Sequence, residues 1–134
     1  MIAIDSSALI DIFNGSSRAD ASSQALRAAL EKGPVVVCDV VVAEVSSAFL
    51  QADEVLAAIE SLGIQYSPLK QAAAARAGEM QKRYRDRKGT QSRVLPDFLV
   101  GAHAMMQCDA LITHDKEFAR DYFKGLKVII PSSQ

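Results

Sequence analysis

LPDFLVGAHAMMQCDALITHDKEF, residues 95–118, reads as a helix, a strand and the opening of a second helix. Pro96 and Asp97 suit a first helical turn, where proline has no useful N–H to lose and an acid meets the positive end of the helix dipole. That helix runs to about Gln107 with Leu99, Val100 and Ala104 facing inward. ALIT at 110–113 is a strand, a short helix covers 115–122, and KVII at 127–130 is the last strand.

The same alternation continues toward the amino end. IAID at 2–5 is a short apolar run closed by an acid, and Ser6 or Ser7 caps a first helix over ALIDIF that ends near Asn14 and Gly15. Ser16 and Ser17 open a second helix to about Lys32, stopped by Gly33 and Pro34. VVVC at 35–38 reads as a buried strand, and Asp39 caps the first of two helical pieces, at about 40–50 and 52–62. IQYS at 64–67 is a weak strand. From Leu69 to about Arg85, Ala73, Ala77, Met80 and Tyr84 form one buried helical stripe, and RDRKGTQSR at 85–93 has little to bury and reads as a loop. Strands alternating with helices through short connections predict an α/β fold: a three-layer α/β/α sandwich with a mostly parallel sheet of about five strands. The alternation does not specify their order.

Composition bounds the function. The chain has 134 residues, 49% of them hydrophobic and 23% charged, which describes a single folded domain over 1–134 and excludes general disorder or separate cofactor and substrate lobes. A net charge of -1 excludes a surface coated in positive charge for DNA or membrane, though not a local basic patch. Cys38 and Cys108 read as free, buried thiols in a reducing compartment. The first residues lack a basic start and carry Asp5 and Asp11, unlike a signal peptide. No apolar run reaches the length of a membrane span, about 18 residues. A soluble, cytoplasmic protein is expected.

Four acids stand where a purely structural protein has little use for them. Asp5 closes the first strand, Glu44 interrupts VVVAEVSSAF at 40–49, Asp97 begins a helix, and Asp115 follows ALITH. A lone Asp after a strand is most often a helix cap; the set is what stands out. In a parallel sheet, strand ends and helix starts gather on the carboxyl edge, where ligands bind, so Asp5, Asp97 and Asp115 belong on one rim and Glu44, a turn into its helix, reaches it. Carboxylates crowded into one cleft repel one another, and a hard divalent cation, Mg²⁺ or Mn²⁺, resolves the conflict with all-oxygen ligation. Zinc is offered nothing comparable. His103 lies six residues after Asp97 and reads as packed or exposed rather than ligating, while His114 adjoins the rim and could touch substrate. Ser6, Ser7, Ser46 and Ser47 suit caps or supporting hydrogen bonds better than a Ser-His-Asp arrangement. No glycine-rich phosphate loop or dinucleotide fingerprint is present.

The basic residues are uneven. Lys82, Arg83, Arg85, Arg87, Lys88 and Arg93 fall within one short stretch, offset only by Asp86. A solvated helix end accounts for such a run taken alone. Beside a carboxylate cleft it has a clearer use, holding the phosphates of a polyanion that the acids would repel. Acids and cations together point to phosphodiester hydrolysis.

AIDSSALIDIF (3–13), VVVAEVSSAF (40–49), LPDFLVGAHA (95–104) and ALITHDKEF (110–118) resemble the four blocks of the PIN-domain family, in the order and spacing of the small VapC-type toxins. The resemblance spans Ile4 to Ile129. It implies a PIN-like sandwich and an Mg²⁺- or Mn²⁺-dependent endoribonuclease, the toxin of a type II toxin–antitoxin pair, with a cognate antitoxin and a homodimeric state. It places the family's acids on Asp5, Glu44, Asp97 and the more variable Asp115, as catalytic and metal-binding residues, with Ser6 and Thr113 as supporting hydroxyls. The reaction expected of such a site is in-line attack of water on an RNA phosphodiester, which leaves a 5′-phosphate when water and not the neighbouring 2′-hydroxyl is the nucleophile. The basic approach to Asp97, RYRDRKGTQSRVLP, departs from the family's usual middle.

Other readings have their own requirements. A non-toxin RNA-processing PIN nuclease shares every feature above. A receiver-type phosphoacceptor domain also carries acids on a parallel sheet, but it needs an acceptor Asp after a middle strand and a Lys after the last; Lys127 precedes VII, and Glu44 and Asp97 go unexplained. A non-catalytic RNA- or protein-binding module of the same fold would use the Ala-, Val- and Leu-rich stretch 40–62 as a groove for a partner helix.

Overall fold

A computed structural model of the chain describes residues 1–49, 51–88 and 94–132. In chain order the elements are β1 (Ile2–Ile4), α1 (Ser6–Asn14), α2 (Ala19–Lys32), β2 (Val35–Val37), α3 (Asp39–Ser47) and α4 (Ala52–Ser61). After these come β3 (Gln65–Tyr66), α5 (Gln71–Lys88), α6 (Leu95–Gln107), β4 (Ala110–Ile112), α7 (Lys116–Tyr122) and β5 (Lys127–Ile129). The strands form one sheet in the order β3-β2-β1-β4-β5, and each described pairing is parallel. This is the expected α/β/α sandwich.

The strands are short because they need only cross the core. Val35, Val36 and Val37 are all buried, as strands covered on both faces must be. They join Ile4, Leu9, Val41, Val45, Ile59 and Ile112 in the main hydrophobic cluster. A second cluster binds α5, α6 and α7 through Ala73, Ala77, Met80, Tyr84, Phe98, Phe118 and Phe123. All four residues of the stripe read from the sequence of α5 are buried there. Phe98 sits among Tyr84, Phe118 and Tyr122 with ring centroids 5.1–5.7 Å away, the edge-on spacing aromatic rings favour.

Strand order determines where a site can form. From β1 the chain steps to β2 and then β3 on one side, and returns to place β4 and β5 on the other. The direction of winding therefore reverses between β1 and β4, and the crevice beyond their carboxyl ends is the standard ligand position of an open parallel sheet. Asp5 and Thr113 are the residues that immediately follow those two strands.

Several local expectations change. Asp5, rather than Ser6 or Ser7, caps α1: its Oδ1 accepts the Ala8 N–H at 3.1 Å, because the acid stands one residue before the first helical turn while both serines lie inside it. Gly15 closes α1 with φ +61, the left-handed backbone that glycine adopts without strain. Ser16 and Ser17 belong to a turn, with Ser16 Oγ donating to Asp11 Oδ1 at 3.1 Å, so α2 starts only at Ala19. Asp39 lies within the first turn of α3, where its Oδ1 accepts the Leu69 N–H at 3.2 Å instead of capping. Helix α5 runs on through Lys88, so residues 85–88 are helical, not loop; Arg and Lys propagate a helix well without an apolar stripe. The rest of that expected loop lies outside the described residues. Among those described, no helix is long and apolar enough to cross a membrane. Cys38 is buried and Cys108 half-buried, both free; burial pushes both thiols up, Cys108 to about 11.

Candidate active site

Asp5, Glu44, Asp97 and Asp115 line one cavity of about 60 Å³, together with Ser6 and Thr113. Apolar side chains of Val100, Leu111, Phe118, Phe123 and Leu126 complete much of its lining. Each carboxylate arrives from a different element: Asp5 from the end of β1, Glu44 from α3, Asp97 from the first turn of α6 and Asp115 from the residue before α7.

The chain's own donors orient these groups. Asp5 Oδ1 accepts from Ser7 Oγ at 2.8 Å as well as from the Ala8 N–H, and its Oδ2 accepts from the Thr113 hydroxyl. Thr113 Oγ1 in turn accepts the Asp115 N–H at 3.1 Å. Asp115 Oδ1 accepts the Phe118 N–H at 3.2 Å and so caps α7. Glu44 Oε1 accepts from Ser6 Oγ at 3.1 Å. Asp97 Oδ2 accepts the Val94 N–H at 3.3 Å, which holds the carboxylate at the start of α6. Asp5 and Asp115 are thus caps and cavity-lining acids at once.

Burial pushes the Asp5 carboxyl above its ordinary value, against the opposing pull of Thr113, Ser7, the Ala8 amide and the nearby His114. Burial also raises Glu44; the Ser6 hydrogen bond offsets this in part, and the charges of Asp97 and Asp5 add to it. Asp5 is held up by burial, and Glu44 by burial and then by neighbouring negative charge, as expected of carboxylates gathered in one cleft. The donor set is all oxygen and suits a hard divalent cation such as Mg²⁺ or Mn²⁺. Among the described residues, no group of three or more His, Cys, Asp or Glu forms a closed set of metal ligands; the acids share the cavity without closing on one point.

His114 turns away from the cavity. Its Nε2 lies 3.2 Å from Ser22 Oγ and 3.1 Å from Asp11 Oδ2. Because both partners meet the same ring nitrogen, this is no catalytic Ser-His-Asp relay, which uses the two nitrogens separately. It is a tie that fastens the loop carrying Asp115 to α1 and α2. Sequence reasoning missed Asp11 and Ser22, which carry no local signal beyond being polar on otherwise apolar helical faces. His103 is buried in α6, its Nε2 3.0 Å from Ser67 Oγ and outside the cavity lining; burial lowers its pKa.

Helices α5 and α6 lie antiparallel, since Lys70 N–H donates to Gln107 Oε1 at one end while Tyr84 meets Phe98 at the other. The basic end of α5 therefore neighbours Asp97. Lys82, Arg83, Arg85 and Arg87 lie along this end, all four exposed. Lys88 ends the helix, its side chain outside the described part of the structure, as is Arg93.

Fold and site define a parallel α/β domain with a carboxylate-lined cavity at its topological switch point. The chain belongs to the PIN domain family, whose model matches residues 2–124. Its fold is similar to that of VapBC2 from Rickettsia felis bound to a promoter DNA fragment, with TM-score 0.76, 16% identity, and coverage of 98% of this chain and 100% of that one. A toxin–antitoxin complex from Klebsiella pneumoniae matches with TM-score 0.67 and 23% identity over 100% of both chains. VapC20 of Mycobacterium tuberculosis, a sarcin–ricin loop cleaving toxin, matches with TM-score 0.69 and 16% identity over 95% of this chain and 99% of that one. A comparison with curated proteins returns no match.

Proposed function

We propose that this chain is an Mg²⁺- or Mn²⁺-dependent endoribonuclease and the toxin of a toxin–antitoxin pair. The observation that carries the reading is the meeting of Asp5, Glu44, Asp97 and Asp115 on one small cavity at the switch point of a PIN-domain sheet. Asp5, Asp97 and Glu44 would hold a divalent cation, and Asp115 would complete its surroundings or help hold a second. Such an ion, when bound, neutralises charge developing on the scissile phosphate and makes water a better nucleophile. The protein's own part is positional. Thr113 and Ser7 hold the Asp5 carboxylate in one orientation, and Ser6 holds Glu44. Lys82, Arg83, Arg85 and Arg87, on the Asp97 side, are assigned to the RNA backbone, together with Lys88 and Arg93 of the same basic run in the sequence.

The similarity to a toxin–antitoxin complex and to a toxin that cleaves RNA supports both the antitoxin partner and the RNA substrate. A homodimer and a cytoplasmic site of action complete the proposal. It is tested by incubating purified protein with structured and single-stranded RNAs in Mg²⁺, Mn²⁺ or EDTA, beside Asp97→Asn. Cutting that needs the metal, leaves 5′-phosphate ends and vanishes in the variant is expected. Equal cutting by both proteins, or 2′,3′-cyclic phosphate ends, would overturn it.

A further inference from the structure

The carboxylate cavity is too small for the substrate it is proposed to cut. At about 60 Å³ it is small beside the range of about 300–1,000 Å³ typical of small-ligand sites, so a sugar and base flanking the scissile phosphate must lie outside it. A second recess adjoins it. Ser7, His114, Asp115, Lys116, Glu117 and Ile130 line a space of about 490 Å³, within that range. Asp115 lines both cavities, and Ser7 joins them through its 2.8 Å hydrogen bond to Asp5. All six residues come after strands β1, β4 or β5, so the recess lies on the same carboxyl edge as the acids.

We propose that this recess receives the nucleotide next to the scissile phosphate, with Lys116 and Ile130 as its specificity-determining residues. The inference rests on the ribonuclease reading above and extends it. Lys116 is exposed, and among the described residues no ion pair engages it. It is next to Asp115 and Glu117 in the chain and brings a cation to the lining of the recess, where it can meet an incoming phosphate. Ile130, exposed at the end of β5, offers an apolar surface to the face of a base. His114 forms a fixed wall because Ser22 and Asp11 hold its ring. The Glu117 carboxylate supplies an acceptor for the amino or imino hydrogens of a base edge.

The test measures binding apart from cutting. A fluorescent single-stranded oligoribonucleotide of mixed sequence is titrated in Mg²⁺ against Asp97→Asn protein, alone and combined with Lys116→Ala, Ile130→Ala or both. Lys32→Ala, at the opposite edge of the sheet, controls for loss of one charge. The double change at the recess should weaken binding about tenfold and Lys32→Ala should leave it unchanged. In the otherwise wild-type protein Lys116→Ala should raise KM with little change in kcat, and Ile130→Ala should shift the preferred cut site. Binding, KM and cut-site preference untouched by both substitutions would overturn the subsite while leaving the nuclease reading intact. Recess-dependent binding without metal-dependent cutting by the parent protein would overturn the nuclease reading, and the proposal with it, leaving an RNA-binding recess.

Discussion

The hydroxyl of Thr113, just past β4, donates to Oδ2 of Asp5, just past β1, and accepts the Asp115 N–H at 3.1 Å. One buried side chain thus spans the seam between the two strands and aligns two of the four acids. Thr113→Val keeps the shape, removes both hydrogen bonds and leaves Asp5 with one fewer donor. A stability loss of about 1–3 kcal/mol is expected, with about 10–100-fold lower RNA-cleaving activity, while Thr113→Ser keeps most of both. Thermal melts and cleavage rates of the two variants check this.

Glu44 and Asp5 make the metal-free protein sensitive to pH. A carboxyl raised above its unfolded value holds its proton more tightly when folded, so stability falls as pH rises between the two values. This contribution is complete below the ordinary values of 4.5 and 3.8 and is lost as pH climbs through the raised folded values. Glu44→Gln removes one such group and can still accept from Ser6. In EDTA it should raise Tm at neutral pH, with the gain shrinking toward pH 4. Added Mg²⁺ should stabilise the parent protein more than the variant. An equal Mg²⁺ response in both would count against Glu44 as a ligand.

Gly101 allows α6 to approach Phe123. A Cβ at this position would lie 2.3 Å from the Phe123 ring, closer than any packed carbon can stand. Gly101→Ala should therefore destabilise by about 1–3 kcal/mol through overpacking, although alanine is the better helix former. Phe123→Leu in the same chain should recover part of the loss, and chemical denaturation of both single variants and the double gives the coupling.

The exposed basic end of α5 should act through phosphates and not through sequence. Replacing Arg83 and Arg87 with Gln should weaken RNA binding evenly across oligonucleotides. It should also lower the slope of log affinity against log salt by about 0.7 for each single-strand phosphate that is no longer neutralised. A salt titration of binding decides it. An unchanged slope would return these residues to the role of a solvated helix end.

Much of this was legible along the chain because it is written in local chemistry. VVV at 35–37 is apolar and β-branched and could only be a buried strand; the Ala73, Ala77, Met80 and Tyr84 stripe names one face of α5; Pro96 and Asp97 mark the start of α6. The acids were visible because most of them close a strand or open a helix, the positions that a parallel sheet brings to one edge. The errors are equally local. Ser6 and Ser7 are as good caps by residue type as Asp5, and one residue of register decided between them. The basic run concealed the last turn of α5 because helix propensity there comes without an apolar periodicity.

Residue type and short-range spacing were enough for the alternation of elements, the faces they bury and the four acids, and the resemblance of four sequence blocks was enough for the family. Three-dimensional packing was needed to set β4 beside β1, to bring Thr113 to Asp5 across that seam, and to gather Asp11 and Ser22 around His114. It also laid Phe123 against the bare backbone of Gly101 and opened the recess beside Asp115. Most of these join residues far apart in the chain. No local period encodes which parallel strands become neighbours; that choice is made by packing helices onto both faces of one sheet at once.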